Sequence, residues 1–590
     1  MSTLHNADVD LGGLLAVLGS NLYSTPVVAL RELVQNAHDS CTRRQIEDTL
    51  ADPRITVSAE PSANILRIED NGAGLTDEEI RRFLATLGAG YTRLLREESG
   101  SQELIGAFGL GFLSAYVVAE RVVVETTSYQ DPSTGWRFVS RDGQRYSLEP
   151  CEPRPVGTCV TLHLRQVYEE LSQPPRVRAE LTRYCALLRH PVLVPDQPVN
   201  EGRPPWHESG SAFAMKRRRM AFAERFEPVF KPLCTVDLGE LPHGARGLAW
   251  VQDGGRYASS DNRRVTLFVR GMLISSDERE LLPEWAGFCG AVIECDALVP
   301  TASREDVKKD EVYRSLVAAV QQRLVEGLRE VALDDPESWR RVLRRHNEAL
   351  LGSALVDDTL FLLLEDQLRV PTSEGELTLA QVHGRSPDGV LASAGDSMGY
   401  QEVLYQALGL PVLDGTRYAV LPFAARWCQA HRVPLSQVGT DQGDSALFKP
   451  TSVAEGSAVL LQEALGDAVT QVIPCRFQPS SLPAVRVPDR EVALKRRLDD
   501  EQSDTRIASG LLALARSYTD DIDDRWEARL YVNLESPVIA RLLVQSGPRP
   551  AAVATVVRAV ADLTCRERVG AEVEVRAVLK ALTGALESLV

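Results

Sequence analysis

The sequence predicts a multidomain α/β protein, with an α/β sandwich at the N-terminus and a mostly helical domain at the C-terminus. Three observations predict this fold class. Strand-like alternation and helical periodicity are interspersed along residues 1–170, the same mixture returns over about 227–480, and apolar residues take helical spacing in 489–590. The length of 590 residues suggests three or four domains at roughly 100–200 residues each.

The N-terminal elements follow from local signals. Ser24 and Thr25 precede Pro26, an order typical of a helix cap followed by proline at the first helical position, and this helix is predicted to run to about Leu50. Thr76 is the expected cap of the next helix. The other predicted elements are strands over 54–60, 65–70, 121–128 and 158–164 and helices over 77–87 and 112–119. Together they predict one open sheet with helices on one face.

Domain boundaries are predicted from proline-rich turns and changes in composition. Turns at 173–175 and 203–205 precede the basic stretch Met215–Arg219, which we interpret as a linker. The Pro/Arg-rich piece 479–488 marks a second boundary. The predicted domains are an N-terminal domain over 1–215, a middle domain over 220–484 and a C-terminal domain over 489–590. The middle domain contains a strand over 265–270, helices over 312–331 and 337–349, and a second α/β segment over about 355–480.

Charge and cysteine usage exclude several classes of protein. The net charge of -17 disfavours nonspecific binding to nucleic acid or to an anionic membrane, so neither is an expected partner. The ten cysteines contain no C-x-x-C pair and are expected to be scattered reduced thiols. Asp8 and Asp10 precede the only apolar stretch near the N-terminus, whereas a signal peptide requires positive charge there. A cytoplasmic location is therefore expected.

The first long helix carries three polar residues at helical spacing. Glu32, Asn36 and Asp39 lie at i, i+4 and i+7 and share one face, while Leu33 and Val34 belong to the apolar side. Two interpretations fit this pattern. The polar face could simply be solvated, or its carboxylate and amide could face a pocket.

Three further motifs are weak when taken singly. Asp70 ends a strand and precedes Gly72 and Gly74, which allow positive φ or a close backbone approach. The glycine-rich loop 105–112 opens into a helix and offers free backbone N–H groups for phosphate, without the lysine of a Walker A loop. Gly157-Thr158 begins a strand and places a hydroxyl where a ligand could lie.

The order of the four motifs resembles the ATP-binding fold shared by gyrase, heat shock protein 90, histidine kinases and MutL. Further segments resemble the heat shock protein 90 family in its bacterial form. These are 21–24, 30–33 and 119–122 in the first domain, and 267–274, 281–285 and 299–305 in the second. The family resemblance has clear motifs over about 1–330 and is architectural beyond that. It implies a middle domain with an S5-like segment and a C-terminal dimerisation domain.

The resemblance also implies a role for individual residues. Asp70 would accept a hydrogen bond from the adenine amine with support from Thr158, and Asn36 would bind Mg²⁺. Glu32 would activate the attacking water, and Arg304 would reach the γ-phosphate from the middle domain. The remaining residues expected to bind ATP are Asp39, Gly72, Gly74, Arg93, Gly106, Gly109, Leu110, Gly111 and Phe112.

The chain departs from the family pattern at several positions. The lid between Gly88 and Ile105 is shorter than usual, and Arg93 stands near the place of a phosphate-binding lysine, although Arg and Lys are not interchangeable. Lys308 replaces a glutamine beyond Arg304.

The expected function is a slow ATPase and chaperone that acts as a homodimer through 489–590 on unfolded or partly folded clients. A DNA-transaction ATPase of the gyrase or MutL kind and an ATP-binding scaffold with decayed hydrolysis are the alternatives.

Overall fold

The computed structural model divides the chain into two compact units, residues 1–342 and 343–590. It describes residues 26–84, 111–200, 202–254, 261–301, 305–393, 409–438, 447–489, 492, 495, 525–544, 548–564 and 579–585. Each unit mixes helices with sheets, which confirms the predicted α/β multidomain class. Within these described ranges no helix is long and apolar enough to cross a membrane. The three predicted domain ranges stay predictions.

The first sheet of unit 1 has seven strands in the order β5-β4-β3-β6-β2-β1-β7. Its pairs are antiparallel except for the short parallel pair between β1 and β7. The strands are β1 (Ile55–Glu60), β2 (Ile65–Asp70), β3 (Ala119–Thr127), β4 (Gly135–Ser140), β5 (Tyr146–Cys151), β6 (Gly157–Leu164) and β7 (Val192–Leu193). The helices are α1 (Val27–Glu47), α2 (Asp77–Phe83), α3 (Ser114–Val118) and α4 (Pro174–Tyr184).

Helix α1 is the main helix on this sheet. Its apolar residues Leu30, Val34 and Cys41 are buried in one core with Ile68 of β2 and Leu162 of β6. Burying such side chains contributes roughly 1.5–3 kcal/mol each. The apolar side predicted for this helix therefore faces the sheet, and the polar residues of the opposite edge are positioned by that packing.

The start of α2 agrees with its predicted cap. Thr76 Oγ1 accepts a hydrogen bond from the backbone N–H of Glu79, and the Glu79 carboxylate accepts one from the backbone N–H of Thr76, so the two form a capping box. The described helix ends at Phe83, and residues 85–87 of the predicted helix lie outside the described residues.

Unit 1 also contains a five-stranded sheet in the order β11-β10-β12-β9-β8. Its strands are β8 (Pro232–Asp237), β9 (Arg246–Gln252), β10 (Arg264–Val269), β11 (Met272–Ser275) and β12 (Cys289–Glu294). Helices α5 (Ala212–Phe226) and α6 (Glu311–Asp334) accompany it, and the division between the units falls within α7 (Pro336–Val356).

The basic stretch Met215–Arg219 lies inside α5, so its interpretation as a linker is wrong. Lys216 pairs with Asp335, Arg218 with Glu208 and Arg219 with Asp237. These acidic partners are distant in sequence or precede the helix, and they make a charged stretch compatible with a packed helix.

Unit 2 begins with a five-stranded sheet in the order β14-β13-β16-β15-β17. Its strands are β13 (Arg369–Thr372), β14 (Gly375–Thr378), β15 (Val390–Ser393), β16 (Val412–Asp414) and β17 (Leu435–Val438). Its helices are α8 (Asp358–Leu364), α9 (Leu379–Arg385) and α10 (Val420–His431). This mixture is the second α/β segment expected from the sequence.

A three-stranded sheet spans the boundary predicted near residue 489. Strand β20 (Ala528–Asn533) lies between β18 (Thr470–Cys475) and β19 (Ala484–Pro488), parallel to the first and antiparallel to the second. Helices α11 (Glu455–Leu465), α12 (Pro537–Leu542) and α13 (Pro548–Thr564) share a core with it. A division at 484–489 would therefore separate strands of one sheet.

Candidate functional site

The carboxylate of Asp70 lies at the C-terminal end of β2 and is 6% exposed. Its Oδ1 accepts hydrogen bonds from Ser40 Oγ of α1 at 2.8 Å and from the backbone N–H of Gly72 at 2.9 Å. Ser40 Oγ also accepts a hydrogen bond from the backbone N–H of Ala73 at 3.1 Å. The helix and the turn after β2 therefore hold the carboxylate from two sides.

The neighbouring strands place threonine hydroxyls beside this carboxylate. Thr158 of β6 is directly opposite Asp70 in the β2–β6 register, and Thr126 of β3 is opposite Thr158. The two hydroxyl oxygens are 3.0 Å apart, and Thr126 Oγ1 also accepts a hydrogen bond from the backbone N–H of Leu75 at 2.9 Å. All three polar side chains are buried, so sheet register alone brings Asp70 and Thr158 together.

Burial raises the pKa of the Asp70 carboxyl to about 7. The hydrogen bonds from Ser40 and Gly72, the charge of Arg154 and the backbone of Thr158 each act in the opposite direction. A carboxyl group whose ionised form is penalised by burial is a typical property of a functional site rather than of a stabilising pair.

Gly74 is required by the turn that follows Asp70. Its φ is +65°, and a Cβ at this position would lie 2.1 Å from the carbonyl oxygen of Thr127. A side chain here would combine left-handed backbone strain with a steric clash. The backbone of the Asp70 turn thus packs directly on the end of β3.

The second part of the site lies about two helical turns earlier on α1. Glu32 is 3% exposed, and its Oε1 is 3.9 Å from Nε of Arg31. The backbone of Gly111 lies against this carboxylate, because a Cβ on Gly111 would fall 2.5 Å from Glu32 Oε2. Glu32 and Ser40 are separated by eight residues, or about 12 Å of helix. One helix therefore presents polar groups at both ends of an elongated site.

The other predicted residues of this region lie near the same elements. Asn36 of α1 is exposed, whereas Asp39 is buried. Phe112 is half-buried, with its ring edge against Tyr116 at a centroid distance of 5.8 Å. Among the residues that the structure describes, no cluster of three or more His, Cys, Asp or Glu side chains could hold a metal.

Five predicted site residues lie outside the described residues, namely Arg93, Gly106, Gly109, Leu110 and Arg304. The residues that flank Arg304 are described. The backbone N–H of Thr301 donates to the carbonyl of Asp306 at 2.8 Å, and that of Lys308 donates to the carbonyl of Val299 at 2.9 Å. The Lys308 side chain is exposed.

Sequence reasoning did not identify Ser40 and Thr126. Ser40 follows Asn36 by four residues and so lies on the same helical face, a signal that was present in the sequence. Thr126 carried a weaker signal, because its position opposite Thr158 depends on the pairing of β3 with β6. Together with Asp70 and Thr158, these groups form a buried cluster of polar side chains at the end of β2.

Family comparisons match two separate parts of the chain. Residues 23–156 match the family described as "Histidine kinase-, DNA gyrase B-, and HSP90-like ATPase", and residues 253–378 match the family described as "Hsp90 protein". The first match contains α1, the Asp70 turn and Gly111, and the chain thus carries a nucleotide-binding ATPase domain of this type. The second begins in unit 1 and extends to β14.

Curated relatives named "Chaperone protein HtpG" are similar to longer parts of the chain. The protein of Chlorobaculum tepidum is 25% identical over 79% of this chain and 81% of its own length. That of Rhodospirillum rubrum is 27% identical over 85% and 83%. That of Chlorobium phaeobacteroides is 27% identical over 56% of both chains, so the match spans about half of that relative's length. In both kinds of comparison the chain is therefore similar to chaperones of the heat shock protein 90 family, and the relatives that it matches are bacterial HtpG proteins.

Proposed function

We propose that this chain is an ATP-dependent molecular chaperone that binds and slowly hydrolyses ATP as a homodimer. The observation that carries the proposal is the buried carboxylate of Asp70, held by Ser40 and Gly72 at one end of α1 while Glu32 faces Gly111 nearer the other end. The similarity to the heat shock protein 90 family and to HtpG chaperones supports it.

Asp70 and Thr158 form the proposed adenine end of the site. A carboxylate oxygen accepts hydrogen bonds only, so it favours the exocyclic amine of adenine over a base that presents a carbonyl there. The Thr126–Thr158 hydroxyl pair, 3.0 Å apart, leaves hydrogen-bonding capacity for a bridging water. Gly72 and Gly74 keep the turn close to this edge.

Glu32 and Asn36 form the proposed phosphate end. Mg²⁺, when bound, supplies charge compensation on the phosphate oxygens, and the Asn36 amide oxygen is a ligand of the kind it accepts. The backbone of Gly111 approaches Glu32 so closely that a larger residue would displace the carboxylate. Glu32 is assigned to orient and deprotonate the attacking water. Asp39, Arg93, Leu110, Phe112 and the glycines at 106 and 109 are assigned to nucleotide binding.

The remaining assignments concern the rest of the chain. Arg304 is assigned to the γ-phosphate, with Lys308 as a second positive charge near it. Domain closure would make hydrolysis conditional and act on a bound client. The segment 489–590 is assigned to dimerisation, unfolded or partly folded proteins are the proposed clients, and the cytoplasm is the proposed location.

Steady-state ATP hydrolysis with Mg²⁺ tests the proposal, with the wild type and Glu32→Ala compared and nucleotide binding measured in both. We expect slow turnover in the wild type and a loss of roughly 10²–10⁴-fold in the variant, the contribution of a general base. Glu47→Ala is the matched control, since Glu47 is a carboxylate on the same helix that pairs with Arg43 at its last turn.

Each outcome is informative. Equal turnover in Glu32→Ala and Glu47→Ala would refute the role of Glu32. Binding without turnover in the wild type would favour the scaffold with decayed hydrolysis.

Arg304→Ala should leave ATP affinity nearly unchanged and reduce turnover, and unchanged turnover would remove Arg304 from the site. Light scattering at micromolar concentration tests the dimer, which a monomeric mass would refute.

A further inference from the structure

A cleft of about 830 Å³ separates α4 from the sheet formed by β8 to β12. Arg183 of α4 lies on one side, Glu227 to Phe230 after α5 form a second wall, and Arg264 and Thr266 of β10 contribute from the sheet. None of these residues belongs to the nucleotide site. The cleft lies within unit 1, between its two sheets, and junctions of this kind are a preferred position for ligand sites.

The two aspartates in this cleft are paired with neighbouring arginines. Asp261 accepts hydrogen bonds from Nε and Nη2 of Arg263, both at 2.9 Å, which holds its pKa at about 2. Asp277 accepts one from Nε of Arg279 at 2.6 Å. The two acids and two arginines therefore form pairs, and the charges of these four side chains cancel.

The buried Glu227 is also engaged, through both of its carboxylate oxygens. Oε2 accepts hydrogen bonds from Trp250 Nε1 at 3.1 Å and Gln252 Nε2 at 2.7 Å. Oε1 accepts them from the backbone N–H groups of Val229 and Phe230 at 3.4 and 3.3 Å. Glu227 thus holds the wall of the cleft in place and is not directed at the remaining arginines.

Arg264 and Arg183 keep their positive charge without an acid. In the described parts of the chain, the side chain of the half-buried Arg264 has neither an ion pair nor a hydrogen bond. Arg183 donates to the neutral Ser276 Oγ at 3.3 Å, with its guanidinium over the ring of Tyr184. Partial burial of a guanidinium without a partner is unfavourable. Arg264 at the start of β10 therefore does not contribute to the stability of the fold through its charge.

The pattern of β10 also indicates a polar cleft. Arg264, Thr266 and Phe268 alternate along one face of the strand, and Phe268 enters the apolar core beneath α5. The same face is therefore apolar under the helix and polar where the helix ends. Phe230 and Leu273 line the cleft as well, so it combines positive charge with apolar surface.

We propose that this cleft binds a small organic anion, a phosphate or a carboxylate with an apolar group, and that Arg264 and Arg183 bind the anionic oxygens. The volume lies in the range of about 300–1,000 Å³ typical of sites for small organic ligands and is too large for an inorganic ion alone. Arginine is suited to both oxyanions because its planar donors match their geometry. The proposal does not depend on ATP hydrolysis.

Calorimetric titration of the full chain with phenyl phosphate and, separately, phenylsuccinate tests this site. Saturating ADP and Mg²⁺ exclude the nucleotide site as the place of binding. We expect one of the two dianions to bind, with an affinity that falls as salt rises, and neutral phenol to bind at least tenfold more weakly. Whichever probe binds identifies the phosphate or the carboxylate as the favoured group.

Arg264→Met is the deciding variant, and Arg217→Met is its matched control, since Arg217 is an exposed arginine of α5 outside the cleft. We expect Arg264→Met to weaken binding tenfold or more, as the loss of one charge-assisted hydrogen bond does, and the control to be unchanged.

The melting temperature of Arg264→Met without ligand should equal or exceed that of the wild type, because an unpartnered charge is removed. No binding of either probe, or equal affinity in both variants, overturns the proposal. If Arg264→Met melts earlier, Arg183→Met replaces it, and unchanged affinity there overturns the proposal as well.

Discussion

The two sheets of unit 1 each hold one buried carboxylate, and the two carboxylates differ in how they are satisfied. Asp70 is 6% exposed and Glu227 is 5% exposed, so burial does not distinguish them. The hydrogen bonds from Ser40 and Gly72 converge on a single oxygen of Asp70. Both oxygens of Glu227 accept hydrogen bonds, four in total from its own surroundings.

The difference is the one expected between a structural carboxylate and a carboxylate that binds a ligand, which is the role proposed for Asp70. A buried charge that is fully hydrogen-bonded stabilises its surroundings, and removing it leaves several donors unsatisfied. A buried carboxyl group whose pKa is raised to about 7 is held at a cost to stability, as expected of a group that binds something else. Burial alone would have assigned the same role to both residues.

The largest expected effect is the destabilisation caused by Glu227→Ala. The change leaves the indole N–H of Trp250, the amide of Gln252 and two backbone N–H groups without their acceptor, at a cost of about 3–5 kcal/mol. Hydrogen-exchange protection of β9 peptides should then fall by about 100-fold or more, while ADP affinity is kept. Glu227→Gln, which retains one acceptor oxygen, should lose less. Unchanged protection of β9 would contradict a structural role for this carboxylate.

The next effect in size is a loss of nucleotide affinity in Asp70→Asn. The amide presents donors where the adenine amine also donates, so ADP affinity should fall by about 30- to 100-fold, or about 2–3 kcal/mol. Stability of the N-terminal sheet should be unchanged or slightly higher, because burial penalises the ionised carboxylate. Asp131→Asn is the control, since Asp131 is exposed and its carboxylate hydrogen-bonds to the nearby Ser133 and Thr134. An affinity within threefold of the wild type would remove Asp70 from the site.

The smallest effect is a pH dependence of a few-fold in ADP affinity. The pKa of Asp70 is raised from an unfolded value near 3.9 to about 7, so the folded state holds this proton more tightly. Its contribution to the free energy of unfolding is therefore present below about pH 4 and is lost as the pH rises to 7. Ionisation makes a stronger acceptor, and ADP should bind more tightly at pH 8 than at pH 6. Asp70→Asn corrects for the titration of the phosphates, and equal pH profiles in the two proteins would contradict this prediction.

Local signals in the sequence were sufficient for elements that depend on their own residues. The predicted cap at Thr76 and the predicted strand Ile65–Asp70 are confirmed. The cap depends on hydrogen bonds within a few residues, and the strand alternates from Leu66 to Asp70. The candidate site was predictable to the same extent. Asp70 and Gly72 are neighbours in sequence, and Thr158 begins a strand of clear alternation.

Elements that depend on distant partners were not predictable. The edge strand Tyr146–Cys151 is mostly exposed on both faces and so carries little period-two pattern. The basic stretch in α5 was misread because its acidic partners include Asp237 and Asp335. Ser40 and Thr126 join the site through the packing of α1 and the pairing of β3. The role of Glu227 required knowledge of its four donors.

The central position of β20 has a consequence for how the chain is made. Among the residues that the structure describes, β18 and β19 pair within their sheet with β20 alone, so these pairings are not complete until Asn533 has been synthesised. Roughly 45 residues separate Pro488 from Asn533, which corresponds to about 2–9 s of synthesis at about 5–20 residues per second. During that interval the nascent chain presents open strand edges of the kind that pair with other chains. A chain built in this way is itself exposed to aggregation on the ribosome until β20 has paired with both of its neighbours.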